Sequence, residues 1–273
     1  MNDTKNSYLF HARVEKGCRP EEVWAACLPV IVKFSIKMGH EYHVSCGNID
    51  FGAKANPKDI ESILRSHRGD SYLISWNRPD FDHAHSFSYF ANLGKLSFRF
   101  AKDVVLRRLD EFGMRIGEAI SISNMIVQQA TYLDALRQHH VPNRTNLHLA
   151  PCYNNGRDGY IEGVSAEMWF GDSFWQYAKC TKLDLLSQDW LYCEERASHL
   201  YVRAWPEPFS SADGEQGEIQ RRLLNMLFGI NGTTPPPLPP LSQNTIVQKM
   251  LWDGKEVRDL GLSEKAPHDV KKS

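Results

Sequence analysis

YLISWNRPDFDHAHSFSYFANLGKLSFRFA, residues 72–101, decides the fold. YLISW (72–76) carries the β-branched and aromatic residues of a strand. SFSYFANLG (86–94) alternates Phe87 and Tyr89 with Ala91 in phase, and KLSFRFA (95–101) alternates Leu96, Phe98 and Phe100. A period of two puts each set on one side of a strand. Turn residues separate the three runs, so the stretch reads as an antiparallel meander.

Upstream, YLFHARV (8–14) reads as a further strand. In RPEEVWAACLPVIVKFSIKMG, Pro20 and two glutamates suit a first helical turn, and Val23, Trp24, Cys27, Leu28, Ile31 and Phe34 recur at helical spacing. Pro29 falls inside that pattern and is expected to kink the helix or end its first half. Strand-like pieces flank Gly47 and Gly52, and Asn56-Pro57 opens a short helix whose stripe is Ile60, Ile63 and Leu64. Downstream, DVVLRRLDEFGMRIGEAI reads as a helix capped by Asp103, and 121–137 as strand then helix. IEGVSAEMWFG (161–171) reads as a strand, WLYCEERA and HLYVRAW as a pair, and EIQRRLLNMLFGI (218–230) as an amphipathic helix with Ile219, Leu223, Met226 and Leu227 on one side.

This order implies an α+β fold: antiparallel sheet with packed helices. It gives one domain over 1–230, with a division into similar-sized subdomains at 1–102 and 103–230 left open. No fixed-period repeat runs through the chain. TTPPPLPPLSQ (233–243) reads as polyproline II, so 231–273 is expected to be a loosely attached tail.

The chain has 273 residues and a formal net charge of −1, enough length for a real core and too little positive charge for a phosphate-binding footprint. No apolar run reaches the roughly 18 residues that a membrane span needs. Of the six cysteines none forms a CxxC pair, which fits free thiols in a reducing, cytoplasmic setting. Nucleic-acid and membrane partners are therefore not expected.

The signature motifs of the common hydrolases, P-loop proteins and dinucleotide-binding proteins are absent from the sequence. No catalytic residue and no cofactor is expected. The polar loop NRPDFDHAHSFS (77–88) concentrates Asp80, Asp82, His83 and His85. In a strand the aspartates and histidines would face opposite ways, whereas a metal needs converging ligands. The plain reading is a solvated hairpin rim; the alternative is a small metal-dependent hydrolase built on that loop. MWFGDSFWQY (168–177) clusters rings around Gly171-Asp172. Its plain reading is core plus a turn. Its sharper reading is an interface anchored by Trp175 and Tyr177, since large rings bury much area at little entropy cost. Acidic pairs such as Asp158 and Glu162 recur near expected loops, either as solvated surface or as patches facing a basic partner. PPPLPP outlines a ligand for proline-binding scaffolds, though a linker is the plainer reading.

Taken in order, RPEEVWAACLPVIVKF, PKDIESILRSHR, LISWNRPDFDHAHSFSYFANLG, GVSAEMWFG and HLYVRAWPEPFSSADGEQGEIQRRLLNMLFGI resemble the immunity protein 52 family of bacterial polymorphic-toxin systems. The resemblance spans about 8–230, and the pair Trp76-Asn77 with the closing strand and helix carries most of it. It implies a protein that binds and blocks a cognate toxin by contact. Such toxins often carry a restriction-endonuclease-like nuclease domain and include effectors of type VI secretion. Asp80, Asp82, His83, His85, Asp158, Glu162, Asp172, Trp175 and Tyr177 are the expected partner-binding residues.

Overall fold

The structure, a computed structural model of the chain, describes residues 7–15, 18–34, 42–54, 56–67, 69–77, 84–101, 109–138, 152–153 and 160–230. In chain order the elements are β1 (Ser7–Val14), α1 (Pro20–Phe34), β2 (Tyr42–Cys46), β3 (Ile49–Lys54), α2 (Pro57–Ser66), β4 (Ser71–Asn77), β5 (Ala84–Phe90) and β6 (Lys95–Ala101). There follow α3 (Leu109–Ala119), β7 (Ile122–Gln129), α4 (Ala130–Gln138), β8 (Cys152–Tyr153), β9 (Ile161–Glu162) and β10 (Glu167–Gly171). A 3-10 turn (Asp172–Gln176), α5 (Lys182–Leu186), β11 (Tyr192–Glu195), β12 (His199–Arg203) and α6 (Gly214–Phe228) complete the series.

Ten strands form one sheet in the order β11-β12-β10-β7-β1-β6-β5-β4-β2-β3, and every neighbouring pair is antiparallel. The fold is α+β. The meander read from residues 72–101 is β4, β5 and β6, and its register stacks Ile74 beside Phe87 and Phe87 beside Phe98. β1 lies between β6 and β7, so the sheet runs unbroken past residue 102. The described residues up to Ile230 fall within one compact unit. The proline-rich segment expected to be a loose tail lies outside the described residues.

The alternation of side chains sorts the core into two clusters on opposite faces. On one face α1, α2 and α3 cover β1 to β6; Trp24, Ile31, Ile60, Phe112 and Ile116 meet Phe10, Ile74, Trp76, Phe87 and Phe98 there. On the other face α4 and α6 cover β7, β10 and β12, where Leu133, Leu136, Leu223 and Leu227 meet Ile126, Met168, Phe170 and Val202. Each such side chain, moved from water to the interior, contributes roughly 1.5–3 kcal/mol. The second half of the sheet is filled on both sides: Met125 and Val127 join the first cluster, Ile126 between them joins the second, and all three are fully buried.

Several local outcomes differ from the sequence reading. α1 runs through Pro29 without ending, its first turn holding Glu21 and Glu22 where the helix N-terminus favours negative charge. The cost is one missing backbone donor within an otherwise well-buried helix. α6 begins at Gly214, earlier than the apolar spacing suggested. Its buried face is centred on Gln220, Leu223, Leu224 and Leu227, with Ile219 and Met226 at the margin. Gln220 enters that face because its amide donates to Ser211 O and its oxygen accepts from the Tyr132 hydroxyl at 2.7 Å. The expected N-cap Asp103 lies outside the described residues, where α3 is described from Leu109 onward.

Candidate functional site

Chain chemistry places half-buried rings at one corner of the second half. β10 ends at Gly171, where a Cβ would sit 1.9 Å from the Ile122 carbonyl oxygen; only glycine allows that approach. The chain then turns through Asp172–Gln176, driven by Phe174, which is fully buried against Phe170 with ring centroids 4.5 Å apart. With Phe174 inward, Asp172 is exposed and Trp175 and Tyr177 remain half-buried. Trp175 leans on Phe170 and Phe174 at 5.7 and 5.5 Å. The Lys179 N–H donates to Leu227 O at 2.8 Å, tying the end of this segment to α6.

The same corner is also held from Asn124 on β7. Its side-chain amide donates to Ile161 O and its oxygen accepts from Ile161 N, both at 2.8 Å, so one buried side chain stands in for a strand partner. That pins β9 to the sheet. Just before it, Tyr160 stacks on Tyr177 at 5.0 Å and 26° and on Phe228 at 5.8 Å and 12°. Within it, Glu162 is half-buried, and burial pushes its carboxyl above the usual range. The surrounding charge is acidic: between residues 160 and 230 there are 11 aspartates and glutamates against 6 lysines and arginines.

Of the residues expected to bind a partner, Glu162, Asp172, Trp175 and Tyr177 therefore occupy this second half. The remaining ones behave otherwise. His85 is not on a rim. It is 2 % exposed on β5, stacked on Trp76 at 6.0 Å and 15° and 5.9 Å from Phe100. Its parity puts it on the covered face of the meander with Phe87 and Tyr89. Asp80, Asp82, His83 and Asp158 lie outside the described residues. Tyr160 and Phe228 were missed. Tyr160 follows the polar run NNGRDG, and nothing in spacing signals that its ring packs back on a helix end 68 residues later.

A polar cluster on the opposite face completes the inventory. The Tyr201 hydroxyl donates to Glu167 Oε2 at 2.9 Å, and both side chains are almost wholly buried. Burial pushes the Glu167 carboxyl up to about 7 and the nearby Tyr8 hydroxyl up to about 12. Among the described residues, no three His, Cys, Asp or Glu side chains converge as a metal cage. No helix among them is long and apolar enough to cross a membrane.

No protein-family model matches the chain, and no curated protein matches it. Among solved structures it is similar to the Pseudomonas aeruginosa T6SS protein PA0821, with a TM-score of 0.52 and 7% identity, over 81% of this chain and 72% of that one. At that identity the likeness is one of fold alone.

Proposed function

We propose that this chain is an immunity protein that binds and neutralises a cognate bacterial toxin by protein–protein contact. The toxin is a nuclease effector of type VI secretion, met in the cytoplasm of the protected cell. Three observations support the reading. The sequence resembles the immunity protein 52 family. The fold is similar to that of a protein described as belonging to the type VI secretion system. The observation that carries most weight is the corner of half-buried rings, Tyr160, Trp175 and Tyr177, packed against Phe174 and each other in an acidic half of the molecule.

Such a corner suits a protein inhibitor. Rings already ordered by packing lose little conformational freedom on binding, so more of their contact energy survives as affinity. A surplus of carboxylates speeds encounter with a basic nuclease cleft and disfavours acidic partners. No reacting group is required for this role, because occupation of the partner's surface is itself the activity.

The test uses any toxin domain found encoded beside this chain's gene. Co-expression with the full chain should protect cells, and the two proteins should co-purify. Trp175→Ala combined with Tyr177→Ala should weaken the complex by ~2 kcal/mol or more, about 30-fold in Kd, while the fold is retained by circular dichroism. Absence of both protection and complex would remove the reading; a complex untouched by the double variant would move the interface elsewhere.

A further inference from the structure

Among the described residues the sheet ends at β11, a strand of four residues paired on one side alone, with β12. Its hairpin closes with Arg196 N–H donating to His199 O at 2.9 Å. Antiparallel pairs alternate between those that exchange backbone bonds and those that do not. With Arg196 and His199 bonded, Glu194 exchanges with Tyr201 and Tyr192 with Arg203. The peptide groups of Cys193 and Glu195 therefore point away from the sheet, and among the described residues none accepts or donates to them. Unused backbone donors and acceptors along an edge are a template for another strand.

Apolar surface flanks that edge. Of the large hydrophobic side chains exposed among the described residues, Leu183 (74 %), Tyr192 (50 %) and Leu186 (36 %) fall within ten residues of one another. α5 lies against one side of β11: Cys193 Sγ donates to Leu185 O at 3.7 Å and Lys182 Nζ pairs with Glu195 at 3.3 Å. Leu185 is buried, while Leu183 and Leu186, three residues apart, share the outer side of the helix. Tyr192, one residue before Cys193, projects from the other face of the strand, with Arg203 5.0 Å from its ring. A strand laid on this edge would meet leucines on one face and a tyrosine on the other.

Charge selects the occupant. Asp184, Asp189, Glu194 and Glu195 outnumber Lys182 and Arg196 over residues 182–196. Pairing of two β11 strands from two copies would set one acidic edge against another, which disfavours a sheet-to-sheet dimer. A lysine- or arginine-bearing strand meets the opposite situation. We infer that the β11 edge, floored by α5, is a docking site for an extended segment of another protein in which basic and apolar residues alternate, captured by strand addition. The inference stands on this edge alone and does not require that the partner be a toxin.

The test uses the full chain and two synthetic peptides, one alternating lysine with isoleucine and one alternating glutamate with isoleucine. Amide hydrogen exchange read residue by residue should slow at least tenfold at Cys193 and Glu195 when the lysine peptide is added, and should not change with the glutamate peptide. Leu183→Ser, at the most exposed of the leucines, removes apolar floor without adding charge and should lower the lysine peptide's affinity about tenfold without altering the unbound protein's exchange pattern. Glu195→Lys should lower it further. Equal capture of both peptides, no protection at Cys193 and Glu195, or indifference to both substitutions overturns the proposal. Protection of those amides by raising protein concentration alone would also overturn it, since the occupant would then be a second copy.

Discussion

Strands β4, β5 and β6 and strands β7, β10 and β12 belong to one sheet, yet they live in different environments. In the first group one face meets α1, α2 and α3, while the other carries Leu73, Ser75, Ser86, Ser88 and Ser97, which are partly or largely exposed, with no described helix over them. In the second group both faces are covered, and Trp169 and Phe170, adjacent on β10, are both fully buried on opposite sides. The helices change face where β1 meets β7. The lesson is that a sheet position cannot be weighed by its strand alone. In the first group every second residue matters to stability; in the second nearly every residue does.

The largest effects should break or uphold that contrast most clearly. Trp169→Ala and Phe170→Ala should each cost about 4 kcal/mol in denaturant unfolding, because each empties a fully packed volume on its own face. If either were tolerated within ~1 kcal/mol, two-sided burial of β10 would be wrong. Gly113→Ala comes next. A Cβ at this α3 position would lie 2.1 Å from the Trp169 ring, so the substitution should destabilise by about 2 kcal/mol. At an exposed helical site the same change would stabilise by roughly 1 kcal/mol, so the sign of the measured change decides the matter.

The buried Glu167 gives the two-sided half a pH dependence. Its folded carboxyl titrates near about 7, raised first by burial, against an unfolded value of roughly 4.3. Between those values the folded chain holds a proton that the unfolded chain has released. Stability is therefore complete below the unfolded value and falls as pH rises through the folded one. Glu167→Gln keeps an oxygen acceptor for the Tyr201 hydroxyl and cannot ionise. The variant should gain on the order of 2 kcal/mol over the parent at pH 8, and should lose that advantage at pH 4. Parallel stability curves for the two proteins would show that the carboxyl is not held neutral. The smallest effects belong to the other half: Leu73→Ser and Ser88→Ala should each stay within ~0.5 kcal/mol of the parent.

Much of the first half was legible because its pattern is one-sided. Phe87 and Tyr89, then Leu96, Phe98 and Phe100, alternate with polar residues, and such alternation is how a half-covered antiparallel sheet is written. The second half hides its faces. MWFG on β10 and SNMIV on β7 are buried throughout, so no period of two marks which side each residue takes. His85 shows the limit in the other direction. Its polar neighbours argued for a rim, whereas its parity with Phe87 places it inside. The candidate surface was legible where rings crowd a turn, at Trp175 and Tyr177. It was illegible at Tyr160, whose position depends on its neighbour Ile161 being held by the buried Asn124 amide 37 residues away in sequence.

The central claim is that this molecule works through the acidic, ring-bearing half and not through the serine-lined face of β4 to β6. Hydrogen exchange of the full chain, alone and saturated with a toxin domain of the proposed class, tests that directly. Protection gathered over residues 160–196, with β4, β5 and β6 unchanged, is the predicted result. Protection confined to β4, β5 and β6, or a toxin domain that leaves every amide unaffected, would contradict the account.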